Sequence, residues 1–225
     1  MNVDIARFNM IEQQIRPWNV MDASVLELLS LVKREDFVPK AQRGLAFADL
    51  EIPLMGSGED AIALGQCMLE PRLEARLLQD LAVQSHETVL EIGSGSGYMA
   101  ALLANKAQRV VTMEIVPELV TMARENLRNA NIHNAEVRQG DGAQITAADG
   151  SFDVIVLSGS VAEVPDSLLK LLKAGGRLGA IVGEEPVMRA TLVTKVGDTQ
   201  YRTVQSWDTA APRLRNFPEP SRFKF

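Results

Sequence analysis

The chain has 225 residues, 46% of them hydrophobic and 23% charged, with a formal net charge of −6. This is an ordinary soluble composition, long enough for one full α/β domain with an extension, and its negative balance argues against nonspecific binding to nucleic acid or anionic membranes. One cysteine, Cys67, excludes an internal disulfide and points to a reducing compartment. The start, MNVDIARF, carries an early acid and no apolar h-region, and no apolar run approaches membrane-spanning length, so a cytoplasmic protein is expected.

The first eighty or so residues read as helical. Asp22 can cap a helix whose positions Val25, Leu26, Leu28, Leu29 and Val32 form one broad apolar face. DFVPKAQRG breaks the pattern at Pro39 and Gly44, and EIPLMGSGEDAIALGQCMLEP reads as a loop. Pro71 suits the first turn of a helix, PRLEARLLQDLAV, that would turn Leu73, Leu77, Leu78 and Leu81 to a core. Residues 1–84 are therefore expected to form an amino-terminal helical cap with a loop, and residues 85–225 the core of the same single domain.

After Ser85 short apolar strands alternate with helices. TVLEIG, RVVTMEI, AEVRQGD, FDVIVLS and RLGAIVG read as strands; GYMAALLANKA, PELVTMARENLRNAN and PDSLLKLLKAGG read as helices, the last closed by Gly175. The alternation implies right-handed crossovers and a doubly wound, mostly parallel, Rossmann-like α/β sheet. The end departs from it: RATLVTKV and YRTVQSWDTA are joined by a tight turn, GDT, so an antiparallel hairpin should lie at one edge.

The residues that carry chemistry fall at strand ends. VLEIGSGSGYMA places Gly93, Gly95 and Gly97 between a strand and a helix. Where a dinucleotide fingerprint wants its last glycine the chain has Tyr98, and no Gly-Lys-Ser/Thr follows, so neither a pyrophosphate loop nor a Walker loop fits. Glu114 ends the next strand, about twenty residues on, where a carboxylate can accept hydrogen bonds from ribose hydroxyls; the bland alternative is a solvated glutamate. Asp141 and Gly142 follow the third strand, where Asp141 can accept from an adenine amino group or simply cap a turn. Ser158 and Ser160 follow the fourth strand and can face a substrate or pack tightly. His86 and His133 read as solvated, and nothing near Cys67 in sequence would activate it. No metal cluster is evident.

Together these strand ends resemble the class I S-adenosylmethionine-dependent methyltransferases. The resemblance implies S-adenosyl-L-methionine as cofactor, with Gly93, Ser94, Gly95 and Gly97 under its methionine part. It gives the ribose to Glu114, the adenine to Asp141 and Gly142, and adds Glu91 and Ile115 to the cofactor set. MIEQQIRPWNVMDASVLELLSLVKREDFVP, GQCMLEP, VLEIGSGSGYMAALLA, GDG and FDVIVLSGSVAEVPDSLLKLLKAGGRLGAIVG narrow it to the protein-L-isoaspartate O-methyltransferases, over roughly residues 8 to 183. That family methylates the free carboxyl of isoaspartyl residues in damaged proteins. The resemblance implies an isoaspartyl protein or peptide partner, or a small molecule if the site has diverged, with no nucleic acid, membrane or metal.

One departure stands out. The family's Gly-Gln-Thr-Ile-Ser-x-Pro loop is Gly65-Gln66-Cys67-Met68-Leu69-Glu70-Pro71 here, so Gly65, Gln66 and Pro71 match while the serine becomes Leu69. Leu69 cannot donate a hydrogen bond, and Glu70 adds a like charge near a docking carboxylate. No catalytic residue is assigned, and a cofactor-fold protein without isoaspartyl activity stays open. The tail RLRNFPEPSRFKF offers Arg213, Arg215, Arg222 and Lys224 against Glu219; it reads as an attraction for an acidic surface or as a solvated end with Phe217, Phe223 and Phe225 packed on the body.

Overall fold

The computed structural model describes residues 2–56 and 58–219. The amino-terminal part is helical but irregular. Helix α1 (Val3–Asn9) runs into a π-helical stretch at Met10–Ile15 and a 3-10 turn at Arg16–Trp18, which stops at left-handed Asn19. Helix α2 (Ala23–Leu31) starts on Asp22, whose carboxylate accepts from the Ser24 and Val25 N–H groups, as the sequence predicts. The expected loop is a closed excursion: strands β1 (Ile52–Pro53) and β2 (Cys67–Met68) pair antiparallel around helix α3 (Gly58–Ala63). Helix α4 (Pro71–Leu81) has Pro71 in its first turn and buries Leu73, Leu77, Leu78 and Leu81.

The remaining elements are β3 (Thr88–Ile92), α5 (Tyr98–Ala104), β4 (Arg109–Glu114), α6 (Pro117–Asn129), β5 (Ala135–Gln139), β6 (Phe152–Val161), α7 (Asp166–Leu169), β7 (Leu172–Glu184), β8 (Val187–Lys195) and β9 (Tyr201–Thr209). They form one seven-stranded sheet in the order β5-β4-β3-β6-β7-β8-β9. The pairs from β5 to β7 are parallel; β7–β8 and β8–β9 are antiparallel, which is the edge hairpin expected from GDT. Alternation along the central strands explains why both faces are covered. Val89, Val154 and Val156 join a core with α2, α4, α5 and α6, while Leu90, Ile155 and Leu157 join a second core on the opposite face.

One predicted helix is much shorter than its sequence implies. Helix α7 ends at Leu169, and Leu172 already pairs with Phe152 of β6. Leu171 and Leu172 are needed in the second core. The KAGG stretch that follows is a kink within β7 rather than a helix end: Gly175 has φ +77°, and Lys173 holds Asp153 at 2.7 Å.

The amino-terminal helices are fixed to the sheet layer through a buried cation. Arg34 is 0% exposed. Its Nε donates to the Ala46 carbonyl at 3.1 Å, its Nη2 to the Leu69 carbonyl at 2.9 Å and its Nη1 to Glu74 at 3.0 Å, and its guanidinium lies 5.6 Å from the Tyr98 ring centre. A second pair, Arg7 with Glu35, ties α1 to the segment after α2. Burial pushes the Glu74 carboxyl up to about 7 against the downward pull of Arg34. Such a pair contributes little net stability, yet losing one partner strands the other. Arg34→Met is therefore expected to cost roughly 3–5 kcal/mol in urea unfolding. Arg34→Met combined with Glu74→Leu should unfold at higher urea than Arg34→Met alone; a double variant no better than the single one contradicts this account.

Candidate active site

Chain order carries the sheet outward from β3 to β5 and then back to β6, beside β3. The carboxyl ends of β3 and β6 thus flank a topological switch point, where α/β sheets leave a crevice. A cleft of about 600 Å³ opens there. The loop of residues 93–97 runs beneath it, with Gly93 and Gly95 facing the cleft. Gly93, Gly95 and Gly97 have φ of +96°, +50° and +85°, values that side chains resist. A Cβ on Gly93 would meet the Ser158 carbonyl at 3.0 Å, and one on Gly97 would meet Ala123 of α6 at 3.3 Å. Bare main chain is thus a packing requirement on the underside of the loop as well as a surface facing the cleft.

Glu114, at the end of β4, holds this loop in place. Its Oε2 accepts from Gly95 N–H at 2.9 Å and its Oε1 from Val116 N–H at 3.0 Å. Glu114 is 6% exposed and forms part of the cleft wall. With each oxygen accepting one amide, both retain acceptor capacity. Asp141, after β5, accepts from Ala143 N–H and from Asn216 Nδ2 at 2.9 Å. Gly142 sits where a Cβ would lie 2.3 Å from Ile92 Cγ2, so no larger residue fits there without displacing the wall.

The cleft is roofed by two segments. Leu64 to Cys67 cross it from the amino-terminal excursion. Residues 213–217 cross it from the carboxyl side, as a strap tied down by Ser160 N–H to the Pro212 carbonyl at 2.7 Å and Leu214 N–H to the Ser160 carbonyl at 2.9 Å. Arg215 donates to the Leu64 carbonyl at 3.1 Å, joining the two roofs. The helices α1 and α2 do not reach the cleft, so the expected helical cover over it is supplied by loop and strap.

Gly65, Gln66, Gly93, Gly95, Glu114, Ile115, Asp141 and Gly142 all line the cleft, as does Ser158. Glu91, Ser94, Gly97, Leu69 and Pro71 do not. Ser94 and Glu91 lie beneath the loop in a small inner cavity that also touches Leu69, Glu74 and Tyr98. Glu91 is 0% exposed; Thr112 donates to its Oε2 at 2.6 Å and Ser158 to its Oε1 at 2.8 Å. Leu69 packs with Leu73, Ile181, Met188, Ala190 and Ala211. Pro71 is at the start of α4 and Gly97 at the start of α5. Ser160 is buried, and its hydroxyl has no partner among the described residues. His86 and His133 are exposed, as expected. Cys67 is a free, buried thiol on the cleft wall, pushed up to about 12 chiefly by burial.

Sequence reasoning missed the apolar lining, Ile92, Met113, Val116 and Leu119, and the strap. The strand-end positions of the first two were a usable signal; the strap had none beyond RLRNF. Arg213 is half-buried on the cleft wall, Arg215 lines the cleft but stays exposed, and Phe217 is packed on the body, as expected, within the second core. Arg222, Phe223, Lys224 and Phe225 lie outside the described residues.

The family model for Protein-L-isoaspartate(D-aspartate) O-methyltransferase (PCMT) matches residues 6–209. The chain belongs to the protein-L-isoaspartate(D-aspartate) O-methyltransferase family. It is 40% identical over 177 residues to the protein-L-isoaspartate O-methyltransferase of Methanoculleus marisnigri, covering 79% of this chain and 77% of that one. To the protein of the same name from Bradyrhizobium sp. (strain ORS 278) it is 38% identical over 190 residues, covering 84% and 85%. A candidate isoaspartate methyltransferase from Plasmodium falciparum, solved with S-adenosyl-L-homocysteine, shares the fold at TM-score 0.79 and 19% identity, over 94% of this chain and 99% of that one. In this member of the protein-L-isoaspartate(D-aspartate) O-methyltransferase family the serine position of the loop is an apolar core residue.

Glu91 gives this site a pH signature. Burial pushes its carboxyl up to about 8, partly offset by hydrogen bonds from Thr112 and Ser158, and among the described residues no cation pairs with it. Its folded value thus lies above its unfolded one, so the protonated group favours the folded state fully below about pH 4.5. That contribution is lost as pH rises toward about 8. Unfolding free energy should fall across that window by up to about 1.4 kcal/mol per pH unit, and Glu91→Gln should flatten the slope. Denaturant titrations from pH 5 to 9 that give parallel curves for both proteins would refute this.

Proposed function

We propose that this chain is an S-adenosylmethionine-dependent carboxyl O-methyltransferase that esterifies the free carboxylate of isoaspartyl residues in damaged proteins. The observation that carries the reading is a cleft built at three successive parallel strand ends, by Gly93 and Gly95, by Glu114, and by Asp141 with Gly142, in a member of this family.

The cleft fits the cofactor. Its lining joins bare main chain, two carboxylates and an apolar wall, the mix of polar and apolar groups that small-molecule sites carry. Bare main chain at residues 93–95 would hold the methionine part. Glu114, with Ile115 beside it, would take the ribose, and Asp141 and Gly142 the adenine. The bound cofactor would supply a methyl group activated by its sulfonium. Ile92, Met113, Val116, Leu119, Leu214 and Phe217 exclude water around it. The acceptor carboxylate, with an ordinary pKa of about 4, is already ionised at neutral pH, so the chain has no proton to remove. What remains for it is in-line positioning and charge placement, and the absence of a histidine from the cleft lining agrees with that. The reading includes a cytoplasmic location, supported by a single free cysteine.

A second reading, a diverged acceptor, is favoured by one observation: Leu69 is packed away where the family's loop carries a hydroxyl. The reading is tested by methyl transfer to an isoaspartyl peptide, with the aspartyl peptide of the same sequence as control. Transfer to the isoaspartyl form alone is expected. Cofactor binding without transfer, with activity appearing in Leu69→Ser, would favour divergence. For the cofactor contacts, Glu114→Gln should weaken S-adenosylhomocysteine binding roughly tenfold to a hundredfold by calorimetry, the scale of a hydrogen bond to a charged group. An unchanged affinity removes Glu114 from the ribose site.

A further inference from the structure

With Leu69 in an apolar cluster, the loop offers an acceptor carboxylate no hydroxyl at that position. The strap offers a stronger donor. Arg213 lines the cofactor cleft and also an outer groove of about 1300 Å³, and among the described residues it is the one side chain on both walls. Its guanidinium is already oriented. Nη2 donates to the Gly183 carbonyl at 2.9 Å, and Nε lies 3.0 Å from Glu219 Oε1. Nη1 is sealed from solvent and has no partner among the described residues. A guanidinium carries five N–H donors, and buried donors in folded proteins are nearly always matched. Donors left unspent between a methyl-donor cleft and an open groove match a bound anion.

We propose that Arg213 is the acceptor-binding residue of this chain, anchoring the isoaspartyl carboxylate, with Glu219 as a placeholder that the acceptor displaces. The assignment rests on the function proposed above. Glu219 is well suited to leave: its side chain is 46% exposed, and exposed ion pairs are weak. A carboxylate replacing a carboxylate keeps the guanidinium neutralised, with Nε, now facing Glu219, as its donor. The other charged residues lining the groove are Glu51, Glu184 and Glu185. Among the described residues of this groove Arg213 is therefore the one attractive point for an incoming carboxylate.

The test is steady-state methylation of an isoaspartyl peptide by the full chain, with S-adenosylhomocysteine affinity measured alongside. Arg213→Met should raise the peptide KM about tenfold or more, as expected for a lost charged partner, while kcat and cofactor affinity change far less. Arg213→Lys should fall between. Glu219→Gln should lower KM, because the competing carboxylate is gone. A merely structural strap pin predicts that both substitutions loosen the strap and shift KM the same way. An unchanged KM in Arg213→Met, or KM rising in both variants, overturns the assignment while wild-type methylation keeps the proposed function. Should Arg213→Met fail to fold, Glu219→Gln decides alone: a KM that rises or stays level overturns it. Wild-type protein that binds cofactor but does not methylate the peptide overturns the proposed function and this assignment with it.

Discussion

A guanidinium with no exposed surface joins the parts of this protein that chain order keeps apart. Arg34 comes from the amino-terminal helices, yet its donors end on Ala46, Leu69 and Glu74, and its face lies against Tyr98. Tyr98 is the first residue of α5, directly after the glycine loop, and Leu69 directly follows β2, which carries Cys67 to the cleft. One cation therefore sets the distance between the roof of the cleft and its floor. Two carbonyls and the Glu74 carboxyl balance it, an arrangement that gives specificity of position more than net stability.

The cleft itself is held by cross-connections between strand ends. Glu114 of β4 grips the loop after β3, and Asn216 of the strap grips Asp141 after β5. Beyond Val156 the β6–β7 register slips, so Ser160 rather than Ser158 is the next residue to pair. The irregularity falls where Ser158 contributes to the cleft and donates to buried Glu91. Residues that face the ligand space are thus fastened from behind, which is what precise positioning requires when no proton transfer is involved.

Much of this was legible in the sequence because it depends on local rules. Strand-helix alternation, the Asp22 cap, Pro71 at a first turn and the GDT hairpin each follow from a few neighbouring residues. The glycine loop, Glu114 and Asp141 were legible because strand ends in such sheets point to one crevice. What failed depends on distant partners. PDSLLKLLKAGG has helical periodicity, but Leu172 is claimed by Phe152 of β6. Glu91 neighbours the glycines in sequence but points beneath them, toward Thr112 and Ser158. The tail's arginines look solvated until β6 supplies Ser160 to hold their backbone.

The strap also orders events in time. Residues 213–217 leave the ribosome after all seven strands of the sheet, and they bind to groups those strands have already placed: the Ser160 backbone, the Gly183 carbonyl and Asp141. Vectorial synthesis therefore builds the crevice uncovered and fits its cover afterwards. In the finished protein that cover stays pinned at three places along the sheet, by Ser160, Gly183 and Asp141.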